Sequence, residues 1–218
     1  MPIWRKIGMQ NNNSPLMEHL TFFHDHTILL LTLITVITMT MITLSLYEKN
    51  FNRFILESHQ TELFWTSIPA FLLIFIAVPS MKTLYIMEEI VRPILSIKAI
   101  AYQWNWSYEY SNMISKMISS NISNSIKMRL RAVSNSLVVP TMSPTRMMIT
   151  SKDVLHSWTI PSLGLKADAT PGRINQAIVI IKRPRVILGQ CSEICGAGHS
   201  FIPIILEAPT MKKFVDIY

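Results

Sequence analysis

Two long uncharged runs dominate the first part of the chain. From Thr27 to Tyr47 it reads TILLLTLITVITMTMITLSLY without one Asp, Glu, Lys or Arg. That is roughly the 20 residues a helix needs to cross a hydrocarbon core. From Leu63 to Met81 it reads LFWTSIPAFLLIFIAVPSM, again uncharged, with Trp65 near one end, where an amphipathic ring suits a membrane interface. Pro69 and Pro79 are expected to kink this second span without abolishing it. The pattern predicts an N-terminal segment at 1–26 and a transmembrane helical hairpin at 27–82. Its spans lie at 27–47 and 63–81, joined by the polar loop EKNFNRFILESHQTE. The first span has no basic region directly before it and no small-residue cleavage site after it, so both are expected to persist as membrane anchors. Basic residues are divided between the loop (Lys49, Arg53) and the stretch after the second span (Lys82, Arg92, Lys98), and they do not favour placing the large domain outside.

Beyond Arg92-Pro93, a helix-stopping pair, the period changes. Tyr102, Trp104, Trp106, Tyr108 and Tyr110 share one parity, and Gln103, Asn105, Ser107 and Glu109 the other, which reads as a half-buried strand. Further short strands are predicted in KMRLRAV, RMMITS, QAIVIIK, RVIL and IPIILE, separated by Pro, Gly, Asn and Ser turns. The Ser- and Asn-rich stretch SNMISKMISSNISNSIKM is predicted to be an exposed loop. Residues 93–218 are thus expected to form an all-β sandwich or barrel, and the whole chain a membrane-anchored α+β protein.

Composition agrees with that division. Half the residues are hydrophobic and the mean hydropathy is +0.32, too apolar for an ordinary soluble domain. The net charge of +7 raises nucleic acid as a partner, but the basic residues are dispersed and no nucleic-acid-binding motif accompanies them, so none is expected. A basic face also suits anionic lipid in the bilayer. There is no glycine-rich phosphate loop, GxSxG elbow or paired-carboxylate motif.

The chemistry concentrates in GQCSEICGAGHSFIPI, which holds the only two cysteines of the chain. Cys191, Cys195 and His199 are spaced four and four apart, Glu193 lies between the thiols, and a further imidazole stands upstream at His156 in DVLHSWTIPSLG. Thiolate and imidazole are ligands of zinc and of copper, and spacing alone does not separate the two. A disulfide is the plainer alternative for the cysteines, but a bridge four residues long constrains the unfolded chain little and leaves the histidines unexplained. A zinc site would normally hold together a small domain that depends on it, whereas this domain has apolar residues enough for its own core. Copper on a rigid β scaffold points instead to electron transfer.

Here the residues resemble a known family. The hairpin with PLMEHLTFFHDH and TELFWTSIPAFLLIFIAVPSMKTLYIMEE, followed by QWNWSYEY, DVLHSWTIPSLGLKADATPGR and GQCSEICGAGHSF, closely resembles cytochrome c oxidase subunit II over most of the chain. The resemblance implies a cupredoxin-like Greek-key domain in the mitochondrial intermembrane space, on the inner membrane, carrying a binuclear copper centre. Cys191 and Cys195 would bridge two coppers, and His156 and His199 would each bind one. Glu193 would offer its carbonyl to copper and its carboxylate to a magnesium ion shared with subunit I. Trp104 would receive electrons from cytochrome c, Glu109 and Asp153 would belong to its docking surface, and Glu62 would lie near the mouth of a proton path. Oxidase subunits I and III would be partners, and oxygen reduction would occur at haem outside this chain.

The chain also departs from the family pattern. Where relatives have a methionine ligand, three residues after the second histidine, it has Ile202, which has no donor atom. Asn105 stands where relatives often carry an aromatic ring, and Lys152 where they carry an acid. A copper site of altered potential and a depleted acidic docking surface are therefore expected. The alternative is a structural or assembly subunit, or a copper carrier, with a degenerate site.

Overall fold

The computed structural model describes residues 8–49, 52–54, 56–89, 92–111, 117–123 and 131–217. They form two compact units: His19–Ile86 is one, and Met87 onward, together with the described residues before His19, is the other.

The first unit is helical. Helix α1 spans Pro15–Tyr47 and α2 spans His59–Glu88, so each continues beyond the uncharged run that announced it. Both are apolar on all sides, as lipid-facing helices are. Threonine hydroxyls donate to carbonyls one turn back, as Thr27 does to Phe23 O at 2.8 Å and Thr38 to Ile34 O at 3.0 Å, which removes free donors from an apolar surrounding. Pro69 and Pro79 lie inside α2. Pro79 has no N–H for the carbonyl of Phe75, and His26 Nε2 of α1 lies 3.3 Å from that oxygen. With its proton on Nε2, His26 satisfies the group the proline leaves.

The second unit is a two-sheet sandwich. Strands β1 (Leu95–Tyr102), β2 (Asn105–Tyr110), β3 (Met117–Ser120), β4 (Leu137–Val138) and β5 (Thr145–Ser151) are followed by β6 (His156–Ile160), β7 (Leu165–Ala169), β8 (Asn175–Val179), β9 (Arg185–Cys191), β10 (Pro203–Ala208) and a short helix α3 (Met211–Ile217). One sheet runs β3-β2-β1-β5-β8 and the other β4-β10-β9-β6-β7. The β1/β5 and β4/β10 pairs are parallel and the remaining pairs antiparallel. Between the sheets lie Trp106, Tyr108, Trp158, Ile149 and Leu206, all fully buried. Trp158 Nε1 donates to Tyr108 Oη across the sandwich at 3.4 Å. Burial pushes the Tyr108 phenol well above its usual range, and this hydrogen bond offsets only part of the rise.

Two expectations change. The aromatic run is not one strand: Gln103 and Trp104 form a two-residue turn between β1 and β2, with Tyr102 opposite Asn105 and Ala101 opposite Trp106. Paired residues share a face, so Tyr102 points away from the face that buries Trp106, Tyr108 and Tyr110. The Ser- and Asn-rich stretch is not wholly a loop, because Met117–Ser120 adds to β2 as a strand. KMRLRAV lies mostly outside the described residues, and its end, at Val133, makes an isolated bridge to Ile122. The sequence pattern missed β6, whose His156, Ser157 and Trp158 are all buried and so show no alternation.

The segment before α1 packs on the sandwich. Asn13 N donates to Ser162 O at 3.0 Å and Lys182 N to Asn13 O at 2.9 Å. Ser14 Oγ donates to Leu163 O at 2.7 Å and accepts from Met17 N at 2.9 Å, capping α1. Glu18 forms an ion pair with Lys182.

Candidate metal centre

Strand pairing explains why distant residues meet. Strands β6 and β9 are antiparallel with Trp158 opposite Cys191, so His156 is the diagonal neighbour of Cys191 on one face, a separation long side chains bridge. His156 Nδ1 lies 3.9 Å from Cys191 Sγ. Gly189 makes this close pairing possible: a Cβ there would lie 2.1 Å from the Thr159 carbonyl oxygen.

After β9 the chain turns back on itself. Gly196 adopts φ +118°, a conformation that glycine tolerates and L side chains rarely adopt. His199 N then donates to Gly196 O at 3.1 Å, opening a single 3-10 turn over His199–Phe201. This brings Cys195 Sγ to 3.5 Å from His199 Nδ1. The Sγ atoms of Cys191 and Cys195 and a ring nitrogen of His156 all lie within 4.8 Å of one another. Both cysteines are free and buried, so the disulfide alternative is not what the structure shows. The Cys191 thiol faces the Glu193 carbonyl at 3.4 Å, while the Glu193 carboxylate side of the loop is exposed.

Ile202 is 1% exposed, belongs to the core cluster, and accepts the Cys191 N–H on its carbonyl at 3.2 Å. It holds the loop in place through its backbone and offers no side-chain donor.

The electrostatics of the metal-free site are uneven. Burial alone would push the Cys191 thiol up, but hydrogen bonds with His156, Ser157 and Glu193 and the charge of His156 outweigh it and bring the thiol down to about 7. Burial would likewise lower His156, yet Cys191 and Asp153 together raise it. Cys195 is pushed up to about 12, first by burial and then by the neighbouring Cys191.

Asp153 was expected on a docking surface, and its carboxylate is engaged within the domain. One oxygen lies 2.9 Å from His156 Nε2 and 2.6 Å from Val154 N, and the other 2.5 Å from Gln103 N. Burial would raise this carboxyl, but those hydrogen bonds and the charge of His156 hold it below its ordinary value. With its proton on Nε2, the imidazole presents Nδ1 to the thiols, the usual arrangement behind a metal-binding histidine. Its spacing three residues before His156 was the available signal. Glu109 is also paired, with Lys98 Nζ at 3.6 Å, and Lys152 is exposed. Glu62 lies in the first turn of α2, 3.9 Å from His59 Nδ1, and belongs to the helical unit.

Trp104 is 43% exposed, whereas Trp106 and Tyr108 are fully buried. Its Nε1 donates to Cys195 O at 3.3 Å, and Gln103 Nε2 donates to the same oxygen at 2.8 Å. The indole lies so close over Gly198 that a Cβ there would come within 2.5 Å of the ring. One side of the ring therefore rests on the cysteine loop while the residue remains open to solvent. Gln103 carries the loop as much as Trp104 does, and only its place beside the tryptophan hinted at it.

Two thiols, two imidazoles and a backbone carbonyl form a soft, compact donor set that suits copper or zinc. Residues 95–209 match the family described as cytochrome C oxidase subunit II, periplasmic domain, and residues 2–83 match its transmembrane domain. The chain belongs to the cytochrome c oxidase subunit II family. Cytochrome c oxidase subunit 2 of Ctenocephalides felis is 49% identical, over 99% of this chain and 97% of the relative. That of Aedes aegypti is 47% identical, over 99% and 96%. The crystal structure of the periplasmic domain of subunit II from Bradyrhizobium japonicum is similar with a TM-score of 0.57 and 35% identity, covering 59% of this chain and 94% of that one. A mixed disulfide between a thioredoxin-like protein and subunit II also matches, with a TM-score of 0.54 and 34% identity over 60% of this chain and 92% of that one. Subunit II is a component of a haem-copper oxidase, an oxidoreductase, and the two apolar helices make this chain a membrane-anchored member with a cupredoxin-like domain. Family membership implies copper binding, and His156, Cys191 and Cys195 form a group that could hold a metal ion.

Proposed function

We propose that this chain is the electron-accepting subunit of its oxidase, taking electrons from cytochrome c and passing them to haem in subunit I. Cys191, Cys195, His156, His199 and the Glu193 carbonyl would hold a binuclear copper centre, which when bound supplies a one-electron relay. The observation that carries this reading is the meeting of two free thiols and a carboxylate-backed imidazole directly beneath a solvent-exposed tryptophan.

The residues around the metal do the positioning. Asp153 fixes the His156 ring and Gln103 fixes the Cys195 carbonyl. The fully buried His156 keeps water from one side of the site. Trp104 offers a ring in contact with the loop and open to a partner. Ile202 contributes packing where the family places a thioether; because that axial donor tunes potential more than it holds metal, two coppers are expected with a shifted potential. The relative caught in a mixed disulfide with a thioredoxin-like protein supports a further step before metal enters, in which a reduced dithiol partner of that kind opens any Cys191–Cys195 disulfide and leaves with its own two thiols joined.

The same reading would place the domain in the mitochondrial intermembrane space, with subunits I and III as neighbours. Magnesium would take the exposed Glu193 carboxylate and needs further oxygen ligands, which subunit I would provide. Glu62, in the first turn of α2, would sit at the mouth of a proton path. Docking of cytochrome c would lean little on Glu109 and Asp153, since Lys98 and His156 already engage them. Turnover should accordingly fall only shallowly with salt; a steep fall removes this view of docking.

Copper per haem, with the near-infrared and electron-resonance spectra of the mixed-valence pair, tests the centre. Two coppers beyond those of subunit I are expected, and Ile202→Met should move the potential without changing that count. Fewer than two would favour the rival reading, a structural subunit with a degenerate site, which rests on Ile202 alone. Trp104→Phe should slow turnover with cytochrome c while leaving the copper spectrum intact; unchanged turnover rules out Trp104 as the acceptor.

A further inference from the structure

The helical unit contains a cavity of about 350 Å³ lined by His19, Phe22, Phe23, His26, Pro79, Lys82 and Thr83. The spacing explains the lining. His19, Phe22, Phe23 and His26 follow the three-and-four pattern of one face of α1, and Pro79, Lys82 and Thr83 do the same on α2. His26 immediately precedes the first uncharged run and Lys82 immediately follows the second, so the cavity lies where hydrocarbon gives way to headgroups.

Its chemistry is one-sided. The lining has an ammonium and two imidazoles but no carboxylate, and among the described residues Lys82 has no ion-pair partner. His26 is tied by Nε2 to the Phe75 carbonyl, which leaves Lys82 and His19 as the free donors. Phe22, 74% exposed, Phe23 and Pro79 supply apolar wall beside them. A cationic donor set next to an apolar wall, at the level of the headgroups, matches a molecule with a phosphate at one end and acyl chains at the other.

We propose that this cleft binds one anionic phospholipid of the surrounding bilayer, Lys82 and His19 donating to its phosphate and Phe22, Phe23 and Pro79 packing on the upper part of its acyl chains. A bilayer lipid fills both parts of the cleft, whereas inorganic phosphate would leave the apolar wall wet. A zwitterionic lipid brings its own cation and gains less from Lys82.

The oxidase complex containing the full chain, in nanodiscs of phosphatidylcholine with a minority of phosphatidylglycerol, provides the test. Native mass spectrometry of the released chain should find one phosphatidylglycerol, enriched about fivefold over its share of the bilayer, the factor expected for one basic residue near the surface. Excess inorganic phosphate should not displace it. Lys82→Gln should return the retained lipid to bilayer proportions, Lys82→Arg should keep the enrichment, and His19→Phe, which removes the donor, should reduce it. Lipid in bilayer proportion on the unaltered chain, enrichment that survives Lys82→Gln, displacement by phosphate, or a cleft occupied by another subunit with no lipid would each overturn the proposal. Should Lys82→Gln fail to assemble, the His19→Phe and Lys82→Arg pair decides it: equal enrichment in both removes His19 as a donor and the proposal with it.

Discussion

The two histidines beside the cysteines are held very differently. His156 starts a central strand, is completely buried, and has Asp153 on one ring nitrogen and Cys191 near the other. Trp106 meets its ring edge-on at a centroid distance of 6.1 Å. His199 sits on a single 3-10 turn, half-buried, with Cys195 Sγ beside its Nδ1. One half of the site is built into the sheet and stands ready without metal, while the other is a loop that metal would complete. The lesson is that preorganisation here comes from strand register and a carboxylate, and it stops where the strand stops.

The largest effect should come from the strand pair itself. Gly189→Ala places a Cβ against the Thr159 backbone, which no side-chain rotation relieves, and should cost about 3 kcal/mol. Thermal unfolding of the metal-free chain in detergent would measure it. Gly198→Ala, on the loop half, meets the Trp104 ring, an exposed side chain that can give way at the loss of its hydrogen bond to Cys195 O, and should cost about 1 kcal/mol. Equal losses would erase the contrast.

His156→Ala should follow, at about 2 to 4 kcal/mol of metal-free stability, because it opens a buried cavity and strips Asp153 of a partner. His199→Ala should cost under about 1 kcal/mol in the same melts. A His199 variant as unstable as the His156 one would show that the loop is as rigid as the sheet.

The thiols sharpen the same division. Cys191 is held at about 7 and Cys195 is pushed up to about 12, and alkylation needs the thiolate. Iodoacetamide labelling of the metal-free chain should therefore rise through pH about 7 at Cys191 and leave Cys195 unlabelled at pH about 8. Peptide mass mapping reads both, and equal labelling would contradict the asymmetry.

Asp153→Asn should give a change about as small as the loop variants, about 1 kcal/mol. Its folded pKa is depressed, so its contribution is complete above the unfolded value of about 3.9 and is lost as pH falls through the lower folded value. The substitution should thus lower stability at neutral pH and flatten the acid side of the stability curve. An unchanged acid limb would mean that the carboxylate contributes nothing to folding.

Much of this was legible in the chain, for physical reasons that differ by element. Charge-free runs identify helices such as α1 and α2 because the bilayer demands length and apolarity and little else. Strands β5, β8, β9 and β10 were visible through their apolar runs. β6 was not, since a strand buried on both faces loses its alternation, and His156 sits on it. The turn at Gln103-Trp104 was hidden because aromatic residues on both sides keep the same parity in sequence while changing face in space. The cysteine and histidine spacing disclosed the donors, but Asp153 as the support of His156 required the turn that carries it back to the ring.

The docking of Asn13 and Ser14 has a consequence in time. The carbonyl that receives the Ser14 hydroxyl is that of Leu163, 149 residues further along the chain, between β6 and β7. At about 5 to 20 residues per second, Ser14 would wait roughly seven to thirty seconds for its seat to be synthesised. Asn13 and Ser14 are thus made long before their seat, and the run of Asn and Ser that carries them offers no apolar surface to be buried elsewhere in the interval.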